Sequence, residues 1–160
     1  MIVLILVTIF TVYFQYFFAA SFGLWETIPN LFLPLIIYYN LTRENVSGFI
    51  LAFILGIIID LNQPSSFGVS PLLFLIIAFT LGRVKRLLSR QLIGIGFVLV
   101  ILANLFYFLL SSAIFLIFNS GDALAFGKII VLSLYNSAYS FIIILILYLA
   151  DHLKLSFTQQ

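Results

Sequence analysis

Apolar residues fill six blocks of this chain, 2–20, 28–41, 46–61, 67–81, 92–118 and 129–150, parted by short stretches that hold most of the charges and turn residues. Runs of this length and uniformity predict helices in a hydrocarbon layer. The second, third and fourth blocks have about 14–16 residues, roughly 21–24 Å as helix, against a hydrocarbon core of about 30 Å. They are short for full spans. Trp25, Tyr38 and Tyr39 flank the second block and suit the headgroup region, and local thinning absorbs the mismatch. A re-entrant second and third pair would carry Arg43 and Glu44 toward the midplane, where a charge costs at least about 2.5–3.5 kcal/mol. Ordinary crossing is favoured. The expected fold is an all-α integral membrane protein, a compact bundle of about six transmembrane helices forming a single polytopic domain over residues 1–160.

Composition narrows the function. The chain is 64% hydrophobic and only 8% charged, so no soluble catalytic module is expected beside the bundle. It has no cysteine, which removes disulfides and thiolate metal sites, and its formal charge of +2 is too small to suggest nucleic acid. With six spans and a cytoplasmic N-terminus, Arg43, Arg83, Lys85, Arg86, Arg90 and Lys154 fall inside and only Lys128 outside. Both termini are therefore expected in the cytoplasm. The first block lacks a basic leader, and Tyr13, Gln15 and Tyr16 interrupt it where a cleavage site would stand, so it reads as a retained span. Asn40-Leu-Thr and Asn45-Val-Ser match the glycosylation sequon but lie in a small loop expected on the cytoplasmic side.

Small and polar residues within the blocks carry the remaining information. Gly48, Ala52 and Gly56 recur every four residues and form a ridge that lets another helix approach closely. The neighbour is either a helix of this chain or a partner's single transmembrane helix. Asp60 ends that ridge at the negative end of the helix dipole, where it gains nothing, so it needs another partner. The turn Leu61–Pro71 offers amides and hydroxyls; contact with a partner protein or proton linkage is the other reading. Asn104 and Ser111 in the fifth block face a stripe of Ser133, Asn136, Ser137 and Ser140 in the sixth, with Asn104 level with Ser137 and Ser140, and Ser111 level with Ser133. Hydrogen bonds between the two helices, or a small-molecule pocket, account for that set. Gln15 poses the same choice. Arg83, Lys85, Arg86 and Arg90 extend the fourth helix with a basic end, which serves as a topology anchor in contact with anionic lipid or as a docking patch for a cytoplasmic partner.

Catalysis finds no support in the sequence. His152, the single histidine, is expected across the membrane from Asp60, and no metal-ligand spacing or phosphate-binding glycine loop occurs. No cofactor is expected.

The run Gly48–Arg90, with an apolar helix ending GIIID, a PSSFG turn, the helix SPLLFLIIAFTLG and the basic exit RVKR, resembles the rod shape-determining protein MreD family. Gln15 and Pro29-Asn30 stand where that family often has a Gln and a Pro-Asp pair; Asn30 departs from the acid. The resemblance implies a non-catalytic, multi-pass protein of the bacterial inner membrane, part of the cell-elongation machinery. It further implies binding to the single-span protein MreC and a link between MreB, RodA and a class B penicillin-binding protein in cell shape and peptidoglycan synthesis. The substrate-binding membrane subunits of energy-coupling factor vitamin transporters are similar in size and helix number. They are the alternative, with Asn104, Ser111, Ser133, Asn136 and Gln15 lining a pocket.

Overall fold

A computed structural model describes residues 2–17, 19–23, 28–42, 45–61, 67–87, 92–119 and 126–157. Among them the chain is all helical: α1 (Ile2–Phe17), a short 3-10 turn (Ala19–Phe22), α2 (Phe32–Thr42), α3 (Asn45–Asp60), α4 (Val69–Leu87), α5 (Leu92–Asn119) and α6 (Phe126–Phe157). All six apolar blocks became helices. Their ends moved where local chemistry overrides hydropathy: α1 stops at Phe17 rather than residue 20, and α2 begins at Phe32 rather than residue 28, behind Pro29-Asn30. Conversely α4 runs on through Arg83, Lys85 and Arg86, because basic side chains in the last turn meet the negative end of the dipole.

α3 packs along α4, and α5 along α6, while α2 sits between the pairs and touches α1, α3, α4, α5 and α6. Every residue from Leu31 to Asn40 is buried, so α2 shows no outward face over that stretch. Its Phe32, Leu35, Ile36 and Ile37 form the main core with Leu55 of α3, Phe74 and Ile77 of α4 and Val100 of α5. A smaller cluster of Phe108, Ile129 and Leu132 holds α5 to α6. Tyr38 and Tyr39 belong to the main core rather than to a headgroup layer; they are 5% and 7% exposed, and the Tyr38 hydroxyl donates to the Leu147 carbonyl at 3.4 Å. Trp25, Arg43 and Glu44 lie outside the described residues.

Among the described residues one helix is long and apolar enough to cross a membrane, α6 over Gly127–Leu149; Phe32–Thr42, Val46–Asp60 and Val98–Ile114 are shorter apolar helices. The eleven residues of α2 rise only about 16 Å. Two bonds fix where that short rod lies. The Asn30 amide, just before α2, meets Asn136 of α6, and Tyr38 meets Leu147. α2 therefore runs parallel to the second half of α6, and its head stands two residues from Ala138, the midpoint of the apolar stretch 127–149. Its helical part is about half as long as the apolar stretch of α6 and starts beside the middle of that stretch.

Candidate functional site

A helix beginning inside an apolar bundle exposes backbone donors that no water can satisfy, and its first four amides have no intrahelical partner. At α2 each leading position has an answer. Gln15 of α1 accepts from the Leu31 amide at 2.7 Å through Oε1 and donates from Nε2 to the Pro29 carbonyl at 3.1 Å. Asn30 Oδ1 accepts from the Phe32 and Leu33 amides at 3.1 and 3.3 Å, which makes it the cap of the helix. Pro34, the next position, has no amide hydrogen to satisfy. The Asn30 amide itself donates to Asn136 Oδ1 at 2.7 Å.

From Asn136 the bonding continues sideways. Its Nδ2 donates to Asn104 Oδ1 on α5, and Asn104 Nδ2 donates to the Val100 carbonyl at 2.9 Å and to Ser140 Oγ at 3.3 Å. One row of amides thus ties α2, α6 and α5 at a single level. The expected pairing of the fifth and sixth helices is present for Asn104 with Ser140, but its second partner is Asn136 rather than Ser137. Ser137 and Ser133 give their hydroxyl protons to their own helix, to the Ser133 carbonyl at 2.7 Å and the Ile130 carbonyl at 3.0 Å. Ser111 is half-buried on α5, while its neighbour Ser112 is the buried one.

The start of α4 repeats the device with a charge. Asp60, fully buried, accepts from the Gly68 amide at 2.5 Å and the Ser70 amide at 3.3 Å, and Pro71 again has no donor to satisfy. The carboxylate that α3's own dipole disfavours thus sits against the positive end of α4. Gly68 has φ 96°, a left-handed conformation that lets its amide turn toward Asp60 and that other residues adopt at a cost of about 1–2 kcal/mol. Tyr107 lies between the two heads, beside the Asn30 side chain and within the electrostatic reach of Asp60, and packs on Phe74 with ring centroids 5.8 Å apart. Tyr16 donates to the Ile58 carbonyl at 2.7 Å, close by on α3. Asp60→Ala is expected to lower stability by about 1–3 kcal/mol because two amides lose their acceptor. Thermal unfolding in detergent reads the loss; Asp60→Asn, which keeps one acceptor oxygen, should recover part of it.

The small-residue ridge has its neighbour within the chain. A Cβ on Gly48 would come within 2.5 Å of Asn40 Oδ1 on α2, a Cβ on Gly56 would overlap the backbone of Ser70 and Pro71 on α4, and Ala52 is fully buried. As the seat of a partner's helix, Gly48, Ala52 and Gly56 are therefore corrected: α2 and α4 already occupy that surface. Asn40 donates to the Ile36 carbonyl at 2.9 Å, and its Oδ1 has no hydrogen-bond donor; the amide lies over Gly48, where Cα hydrogens are its nearest weak donors. Fully buried, Asn40 is closed to a glycosylating enzyme.

At the opposite end of α4, Arg83 and Arg86 are exposed and Lys85 is half-buried. The Arg83 guanidinium rests 5.0 Å from the centre of the Phe79 ring, and Arg86 Nε donates to the Gly82 carbonyl at 3.3 Å. Arg90 lies outside the described residues, as do Glu26, Asp122 and residues 62–66, which include Pro64, Ser65 and Ser66 of the PSSFG turn.

Asn30, Tyr107, Tyr16 and Asn40 are the site residues that hydropathy passed over. For Asn30 a signal existed, since Asn just before an apolar run is a helix-start signature. For Tyr107 nothing in the sequence distinguishes it from other lipid-compatible aromatics.

Polar side chains that close on one another in the interior, beneath helix faces that stay apolar outside, define a membrane protein. More narrowly, the chain belongs to the rod shape-determining protein MreD family, whose sequence model matches residues 1–152. This is a family of bacterial membrane proteins with a role in determining rod shape, and it is not known as a family of enzymes. No curated protein and no solved structure matches the chain. Among the residues that carry the family likeness, Gln15, Pro29-Asn30 and Asp60 at the end of GIIID are those that satisfy the two helix heads. Asn in place of an acid at position 30 leaves capping intact, because capping needs an acceptor oxygen and Asn and Asp cap about equally well.

Proposed function

We propose that this chain is a non-catalytic scaffold of the cell-elongation machinery in the bacterial inner membrane. In this reading its helices form one polytopic domain with six membrane passes and cytoplasmic termini. It holds the transmembrane helix of MreC and helps couple MreB, RodA and a class B penicillin-binding protein in peptidoglycan synthesis. The observation that supports a scaffold over a vitamin-binding subunit is the bonding of the α2 head: Gln15, Asn30, Asn104 and Asn136 hydrogen-bond one another, Ser140 and the backbone rather than facing an open pocket. What the molecule offers a partner is its outer helix faces. Leu6, Phe10, Tyr13 and Phe17 form one such stripe on α1, and Val46, Ile50 and Phe53 another on α3.

The test is affinity purification of the tagged chain from its native host in mild detergent, with mass spectrometry of what accompanies it. MreC or wall-elongation synthases are expected; an ATPase module or a tightly held vitamin would overturn the reading. Because the chain has no cysteine, single cysteines at Phe10, Ile50 and Leu134 can then be cross-linked to MreC without altering any native thiol. Contact by none of the outer faces would argue against helix docking.

A further inference from the structure

α4 and α5 leave a groove of about 280 Å³ between them. Ile77, Leu81 and Val84 form one wall, and Leu99, Leu102 and Phe106 the other. The residues recur at three- and four-residue steps along each helix, so the walls are continuous strips of hydrocarbon. The Thr80 hydroxyl at the lip is turned back on the Ile76 carbonyl at 2.8 Å, which leaves the lip without a free donor. One helical turn beyond Thr80 and about 60° round the helix stands Arg83, on the exposed side of α4, while Arg86 faces away from the groove, about 180° round from Ile77. Neither wall helix contains an aspartate or glutamate anywhere along its length.

The geometry points to this groove as a binding site for an anionic phospholipid, with one acyl chain lying between α4 and α5 and the phosphate at Arg83. Hydrocarbon walls alone would accept the chain of any lipid. The selectivity comes from the charge pattern: a basic helix end beside the groove, with no carboxylate on either wall to compete. The cation–π contact with Phe79 holds the Arg83 guanidinium by its face and leaves the N–H fork at its edge for phosphate oxygens. A zwitterionic lipid carries its own cation near the phosphate and would bring it against Arg83. The proposal depends on the family's membrane setting and not on the scaffold reading, so the two can fail separately.

Quenching of a single tryptophan tests it. With Trp25, the only tryptophan, changed to Phe, Leu102→Trp places a reporter in the groove. Ile142→Trp on the outer face of α6 gives a control at the same depth, since Asn104 and Ser140 pair two residues away from each. Each variant is reconstituted into mixed phosphatidylcholine and phosphatidylglycerol vesicles in which one lipid or the other carries brominated chains. The expected result is a preference of about fivefold or more for phosphatidylglycerol at position 102, on the order of one cation's attraction to an anionic surface. No preference is expected at position 142, and the Arg83→Gln, Arg86→Gln double change should abolish the one at 102. Equal quenching by both lipids at 102, an equal preference at 142, or a preference that survives the arginine changes would overturn the proposal. Absence of quenching by either lipid would do so too, by showing that protein covers the groove. If Leu102→Trp does not fold, Phe106→Trp on the same wall takes its place.

Discussion

Gly56→Leu is expected to keep the chain from reaching a stable fold. The first atom of any side chain at this position overlaps the Cα and N of Pro71 and the carbonyl carbon of Ser70, and these are backbone atoms that no rotamer change can move aside. α3 and α4 would have to separate where Asp60 reaches across to the start of α4. Gly56→Ala should therefore already cost about 1–3 kcal/mol, the range for overpacking, and leucine more. A monodisperse peak on size exclusion and a melting curve in detergent read the effect. Gly96→Ala and Gly127→Ala are the controls, because a Cβ at either meets nothing within 4 Å. A free Gly56→Leu chain that melts with the unaltered one would show that the ridge is not an internal seam.

Asn136→Leu is the second large effect. It removes the acceptor of the Asn30 amide and the donor to Asn104 Oδ1 together, at the buried level where α2 begins. Orphaned buried groups cost about 1–3 kcal/mol each. Hydrogen bonds within membranes often measure less, because an unfolded helix finds other partners there. The Asn30 amide has little such freedom, since its own side chain is committed to the Phe32 and Leu33 amides. Asn104→Leu combined with Asn136→Leu should recover part of the loss by removing one of the two orphans. A double-mutant cycle from melting curves in detergent would give a coupling of about 1 kcal/mol or more; additive losses would mean that the two amides do not act as a unit.

Hydropathy located all six helices because apolar length is a coarse property, insensitive to one or two residues. It could not locate the head of α2, since Ile28 is as apolar as the leucines and isoleucines of the helix itself and only the capping chemistry of Pro29-Asn30 sets the start at Phe32. Asp60's need for a partner was legible in its clash with its own helix dipole, and the turn after it supplied two amides. Pairing between α5 and α6 was legible by stripe but not by rotation. Asn136 and Ser137 are neighbours in sequence and about 100° apart on the helix, so a slight turn of α6 decides which meets Asn104. The ridge of Gly48, Ala52 and Gly56 promised a close neighbour without naming it, because a small surface complements any helix of suitable shape.

The bond between Asn30 and Asn136 spans 106 residues. It joins an early helix to the last one, and this bears on how the protein is made. While the ribosome is still synthesising α5, α2 has been delivered to the membrane but the Asn30 amide at its head still lacks the acceptor that α6 brings. The central helix must therefore wait for its final neighbour. A nascent chain released before α6 would be inserted yet unassembled, its α2 head open to membrane chaperones and quality-control proteases. Synthesis of the last helix thus marks the moment at which the bundle can close around α2.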